Sequence, residues 1–155
     1  KINNDTIYDL EDNLLLFFTG FTRSASVILK EQNIRTQKND DQMIENLNYV
    51  KDLGYKIKLA LEDGDTQKFG EYMHEHWENK KSRSNSMSNS EIDNWYDLGL
   101  KNGAIGGKIV GAGGGGFLMF MAKDRNKLRH AMKKIGLSEL RFSFDFEGTK
   151  LVLTS

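Results

Sequence analysis

Apolar and polar positions fall in blocks along this chain, and each block keeps the period of one kind of element. Leu14-Leu15-Leu16-Phe17-Phe18-Thr19 is a continuous apolar run closed by Gly20, and its length and composition predict a buried strand. Residues 22–32 follow with Ala25, Ile28 and Leu29 on one side, the pattern of a helix. Across residues 39–62, Met43, Leu47, Val50, Ile57 and Leu61 keep near-helical spacing and predict a long helix. Gly54 weakens its middle by about 1 kcal/mol relative to Ala. Asp65 is placed to cap the next helix, where Phe69, Met73 and Trp77 recur at steps of four.

Residues 82–90 are rich in Ser and Asn and predict a loop. Ser88-Asn89-Ser90-Glu91 fits a capping box with Ser88 as the cap, opening a helix that carries Ile92 and Trp95 and ends at Gly103, Gly106 and Gly107. Lys108-Ile109-Val110 and Phe117-Leu118-Met119-Phe120-Met121 predict strands on either side of a glycine run. Asp124 caps a last helix with Leu128, Ala131, Met132 and Ile135 on one face, and strands at residues 141–146 and 150–153 flank a Glu147-Gly148 turn. The order is strand, helices, two strands, helix, two strands. It predicts an α+β fold with a mostly antiparallel sheet, helices packed on one face, and residues 39–102 as a helical insertion between strands.

Composition narrows the picture. The 155 residues suit one domain, residues 1–155, with a real core. Lys plus Arg and Asp plus Glu balance at 22 each, so no global field steers the chain to nucleic acid or an anionic membrane. With no cysteine, disulfides and thiolate metal sites are excluded, which fits a reducing, cytoplasmic setting. No apolar stretch approaches the roughly 20 residues that cross a bilayer, and no signal peptide is visible. The chain opens on Lys1 and reads as a fragment of a longer protein.

The glycines carry the sharpest signal. Nine of the 15 lie between Gly99 and Gly116, and Gly113, Gly114, Gly115 and Gly116 are consecutive. Glycine reaches positive φ without steric cost but loses more entropy on folding than any other residue, so four in a row imply a geometric need. Either the backbone passes close to a ligand or another segment, or successive N–H groups form a concave nest for an anion such as phosphate. A flexible hairpin tip is the plainer reading, and both stay open on the glycines alone. The run is neither a Walker A loop nor a dinucleotide-binding fingerprint, because a strand follows it.

Gly106-Gly107-Lys108-Ile109-Val110-Gly111-Ala112-Gly113-Gly114-Gly115-Gly116-Phe117-Leu118 resembles the third conserved motif of the GHMP kinases, a superfamily that includes galactokinase, homoserine kinase and mevalonate kinase. Thr19-Gly20-Phe21-Thr22-Arg23-Ser24-Ala25 resembles the Thr-Gly-x-x-Arg segment of the heptose-7-phosphate and fucose kinase branch, and Trp77, the 84–89 loop and Ile92-Asp93 follow the same branch. The resemblance implies the carboxyl-terminal domain of such a kinase, with a ferredoxin-like core. It implies transfer of the γ-phosphoryl of ATP, with Mg2+, to the anomeric hydroxyl of a sugar phosphate, D-glycero-D-manno-heptose 7-phosphate in this branch. It places Gly111, Ala112, Gly113, Gly114, Gly115 and Gly116 beside the phosphates.

Arg23 suits an acceptor phosphate or sugar oxygens through its planar fork, against the alternative of a helix-surface salt bridge. Lys108 can neutralise phosphate, or be a solvated lysine at a strand end. Ser86 and Ser88 can line an acceptor pocket, or serve only as polar connection and cap. The family's principal ATP loop contains a proline, and this chain has none. ATP and Mg2+ are therefore expected to be held mainly by an amino-terminal domain that is absent here, and the 155 residues alone to be inactive, with no catalytic residue and no metal ligand. The alternatives are another sugar kinase of the branch, acting on fucose or galactose, a binding or regulatory domain that kept the fold, or an RNA-binding module using Arg125, Lys127, Arg129, Lys133 and Lys134. His74-Glu75-His76 invites a metal reading, but two residues apart on a helix the imidazoles diverge by about 200°.

Overall fold

The computed structural model describes residues 1–21, 30, 33–34, 37, 41–81, 88–111 and 115–149. The elements are α1 (Asn4–Asn13), β1 (Leu14–Phe18), α2 (Asp41–Asp63), α3 (Thr66–Lys81), α4 (Ser90–Lys101), β2 (Ala104–Val110), β3 (Phe117–Ala122), α5 (Arg125–Lys134) and β4 (Ser138–Leu140). The strands form an antiparallel sheet in the order β2-β3-β1-β4. That is the ferredoxin-like arrangement, with α2, α3 and α4 filling the first crossover.

The main core lies between one sheet face and the helices. Leu15 and Phe17 of β1, Ile109 of β2, and Leu118 and Phe120 of β3 meet Trp77 of α3, Ile92 and Tyr96 of α4, and Leu128 and Met132 of α5. Strand alternation sends the intervening residues to the other face, where Leu14 and Met121 join Leu10 of α1 and Met73 of α3. α3 thus serves both clusters, which it can do because it lies along the outer strand β2. Gly70 and Gly106 make that contact possible: a Cβ on Gly106 would sit 2.1 Å from the Gly70 carbonyl oxygen.

Caps decide where the helices begin. Asp65 accepts from the Lys68 amide at 2.8 Å and Asp124 from the Lys127 amide at 3.0 Å, as their positions predict. α4 departs from expectation by one residue. Asn89, not Ser88, is the cap, accepting from the amides of Glu91 and Ile92, while the Ser88 hydroxyl donates to Asp93 at 2.7 Å. Asn and Ser are near-equal caps, so adjacent candidates compete and tertiary fit decides.

Three other expectations change. α1 carries too few apolar residues to register as a helix in the sequence, but Asn3 caps it through the Thr6 amide and Leu10 docks it. Gly106 and Gly107 do not end α4. The helix stops at Lys101, Gly103 turns the chain at φ +98°, and the two later glycines lie inside β2. The strand expected at 141–146 is found earlier, as Ser138–Leu140 pairing with β1, and residues 141–146 run unpaired. There Phe142, Phe144 and Phe146 pack on one another, and Glu11 accepts from the Phe144 amide at 2.7 Å, so ring packing replaces the ladder. Apart from Lys30, which is helical, the helix expected at 22–32 lies outside the described residues, as does the strand at 150–153.

Candidate functional site

Three chain segments meet at one end of the sheet because the register requires it. Phe18 pairs with Phe117, and Val110 pairs with Phe117 from the other side. The exit of β1, the end of β2 and the start of β3 are therefore neighbours, and residues 111–116 bridge the last two. α4 has its carboxyl end at the opposite edge, where Gly103 accepts from the amides of Lys123 and Asp124. Its first turn, with Ser88 and Asn89, therefore points toward the glycine end.

The glycine turn is held at both ends through its own backbone atoms. At its exit, the Gly116 amide donates to the Phe21 carbonyl at 2.8 Å. The Gly116 carbonyl accepts twice, from the Thr19 amide and the Thr19 hydroxyl, each at 2.9 Å. A Cβ on Gly115 would stand 2.6 Å from the Phe21 carbonyl oxygen, so that position admits only glycine. Phe21 in turn packs against Trp95 of α4, with ring centroids 5.9 Å apart. The two segments singled out in the sequence, 19–25 and 106–118, thus meet through Thr19, Phe21, Gly115 and Gly116. At its entry, Gly111 turns the chain at φ +97°, and its carbonyl accepts from Lys80 Nζ at 2.6 Å.

The other candidates are placed differently. Lys108 is not at the strand end. It sits opposite Met119 on the second sheet face, beside Phe69, His76 and Val50 in a cavity of about 240 Å3. Burial pushes its ammonium pKa down from the ordinary lysine value. Ala112, Gly113, Gly114, Arg23 and Ser86 lie outside the described residues. Ser88 lies in the connection before α4, bonded to Asp93.

His74 meets the Tyr96 hydroxyl through Nδ1 at 2.8 Å, and that hydroxyl also bridges the amide and carbonyl of Gly107, each at 3.2 Å. β2 is the outer strand, so Tyr96 stands where a further strand would pair. Desolvation pushes the phenol pKa well above its ordinary value, so the hydroxyl stays protonated. Among the described residues no group of His, Asp and Glu is arranged to hold a metal ion, and no helix is long and apolar enough to cross a membrane. On α5, Arg129 turns back to the carboxylate of Glu139, at 3.0 and 2.9 Å, and Arg125 pairs with Asp12.

Sequence reasoning passed over Lys80 as part of this site, and gave Thr19 and Phe21 no role beyond their place in the 19–25 motif. Lys80 and Lys81 are indistinguishable in the sequence, and the direction each takes depends on the packing of α3. A large open cavity of about 800 Å3 on the second face is lined by Leu10, Leu14, Leu61, Met119, Phe142 and Phe144 among others. Its walls are almost wholly apolar, with Lys1 and Asn4 as the polar residues among them.

Comparison with known proteins gives these arrangements a context. The sequence model described as GHMP kinases C terminal matches residues 57–137, just over half the chain. D-glycero-alpha-D-manno-heptose 7-phosphate kinase of Campylobacter jejuni is 33% identical over 153 residues, covering 97% of this chain and 44% of its own length. Bifunctional fucokinase/GDP-fucose pyrophosphorylase of Arabidopsis thaliana is 30% identical over 129 residues, covering 83% of this chain and 12% of its own length. The crystal structure of L. major mevalonate kinase superposes with a TM-score of 0.68 at 23% identity, over 78% of this chain and 36% of that one, a likeness of fold. The chain thus spans less than half the length of the proteins it matches.

Proposed function

Because this chain belongs to the GHMP kinase C-terminal family, we propose that it supplies one wall of the active site of an ATP-dependent sugar kinase. The acceptor is the anomeric hydroxyl of D-glycero-D-manno-heptose 7-phosphate. The observation that carries the reading is the glycine turn clamped between Lys80 and the 19–21 segment. Anchors at Gly111 and Gly116 lower the entropy that the chain between them must lose on meeting phosphate oxygens. The Lys80 ammonium at the entry of the turn is a cation, and its charge suits a neighbouring phosphate.

ATP supplies the phosphoryl group, and Mg2+ balances the charge on its oxygens. Both are held mainly by an amino-terminal domain of the same protein, which is this chain's partner. What this chain contributes is position: Gly111, Gly115 and Gly116 fix the turn beside the phosphates, and the segment through Thr19 and Phe21 is followed in sequence by Arg23, the residue proposed for the acceptor. The kinase is cytoplasmic, where ATP and sugar phosphates are found together.

The acceptor follows the Campylobacter relative, which matches nearly the whole chain. A fucose-directed kinase is the second reading, favoured by the 30% identity to the plant fucokinase. The full-length protein, assayed with ATP, Mg2+ and a panel of sugars and sugar 7-phosphates, separates them. The heptose 7-phosphate is expected to be phosphorylated at the anomeric position. Turnover of fucose or galactose with none of the heptose phosphate would overturn the acceptor assignment.

A further inference from the structure

Among the described residues Lys80 is the one charged residue that is buried, at 8% exposure. Its neighbour Lys81 behaves as a surface lysine, reaching Glu78 at 2.8 Å and lying over the rings of Trp77 and Tyr96. Both end the same helix, where a cation is favoured by the helix dipole, and a solvated lysine would meet that need. Burying an ammonium costs several kcal/mol unless hydrogen bonds and charge compensate. The placement of Lys80 therefore needs a reason beyond helix termination.

That reason lies at the other end of its side chain. Lys80 Nζ stands 2.6 Å from the carbonyl oxygen of Gly111, the residue at which β2 becomes the glycine turn. Gly111 has positive φ and open space around the position of a Cβ, so its own packing does not fix its orientation. The exit of the turn needs no such help, because Thr19 and Phe21 already bond Gly116.

We propose that Lys80 is a positioning residue for phosphoryl transfer. It holds the Gly111 carbonyl against the end of α3, fixes how the chain enters the glycine turn, and keeps a positive charge beside the phosphate-facing wall. The inference rests on the kinase reading above. Lys80 acts through the turn and forms no bond to the transferred group.

The test uses full-length protein carrying Lys80→Met, Lys80→Arg or Lys81→Met, with thermal unfolding, kcat and the KM for ATP measured on each. Lys80→Met is expected to lower kcat/KM for ATP on the order of 10²-fold, as misplacement of a site element does. Part of that loss is a rise in the KM for ATP of at least about fivefold. A reduced folded fraction would lower apparent kcat and leave that KM where it was. Lys80→Arg, which keeps charge and donors, is expected to recover at least about tenfold of the loss. Lys81→Met is expected to stay within about threefold of the parent.

If Lys80→Met does not fold, Lys80→Gln replaces it. Gln keeps a donor for the carbonyl without the charge, and it is expected to raise the KM for ATP as well. An unchanged KM for ATP in a folded Lys80→Met or Lys80→Gln protein overturns the proposal while the parent's turnover keeps the kinase reading standing. No turnover of any sugar by the parent overturns both.

Discussion

Gly106 and Gly111 stand five residues apart, and their conformational needs are opposite. Gly106 lies in a strand and is required by contact, because a side chain there would enter the backbone of α3 at Gly70. Gly111 has empty space around it and is required by its φ of +97°. Gly106→Ala should therefore destabilise by about 3 kcal/mol or more, since backbone must move to admit the methyl group. Gly111→Ala should cost about 1–2 kcal/mol, the strain of a left-handed residue. Urea unfolding of the two variants checks both, and equal costs would contradict the distinction. Composition shows that glycines crowd this region, but it cannot separate the two kinds. A contact glycine is defined by a neighbour about 35 positions away in the sequence, which no local pattern records. Ser88 and Asn89 make the same point: either can cap α4, and the local sequence does not choose.

Elements are legible in proportion to the length of their periodic pattern. α2, α3 and α5 show several apolar turns each, and β1 and β3 are unbroken apolar runs, so their existence and type follow from spacing. Residues 141–146 mislead because Phe142, Phe144 and Phe146 alternate like a strand, while in the fold their rings pack together and the ladder to β1 is made by Ser138–Leu140. Alternation reports which side a residue faces, not whether its amide is paired. Hydrogen exchange distinguishes the two. Amides of Leu118, Met119 and Phe120, in a strand paired on both sides, should exchange at least about 10³-fold more slowly than those of Phe142 and Phe146. Similar protection in both segments would place a ladder at 141–146 after all.

At the scale of the molecule, the order of elements gave the α+β class but not the order of strands. The decisive link, Thr19 to Gly116, closes across 97 positions, and only the folded sheet brings its ends together. The sequence also states an omission: the chain has no proline, and the ATP loop that the proposed function calls for carries one. Residues 1–155 alone, purified and mixed with ATP, Mg2+ and the sugar panel, should give no phosphorylated product above background under conditions where the full-length protein turns over. Turnover by the isolated chain would mean that both walls of the site lie within it.

The glycine turn is gripped at Gly111, Gly116 and Phe21 through main-chain carbonyls. A carbonyl is present whatever side chain a position carries. Under the proposed function, substitutions among side chains lining a sugar pocket therefore leave these carbonyl contacts in place. On this view, a change of sugar is open to a lineage by point substitutions, and a change in the reaction is not.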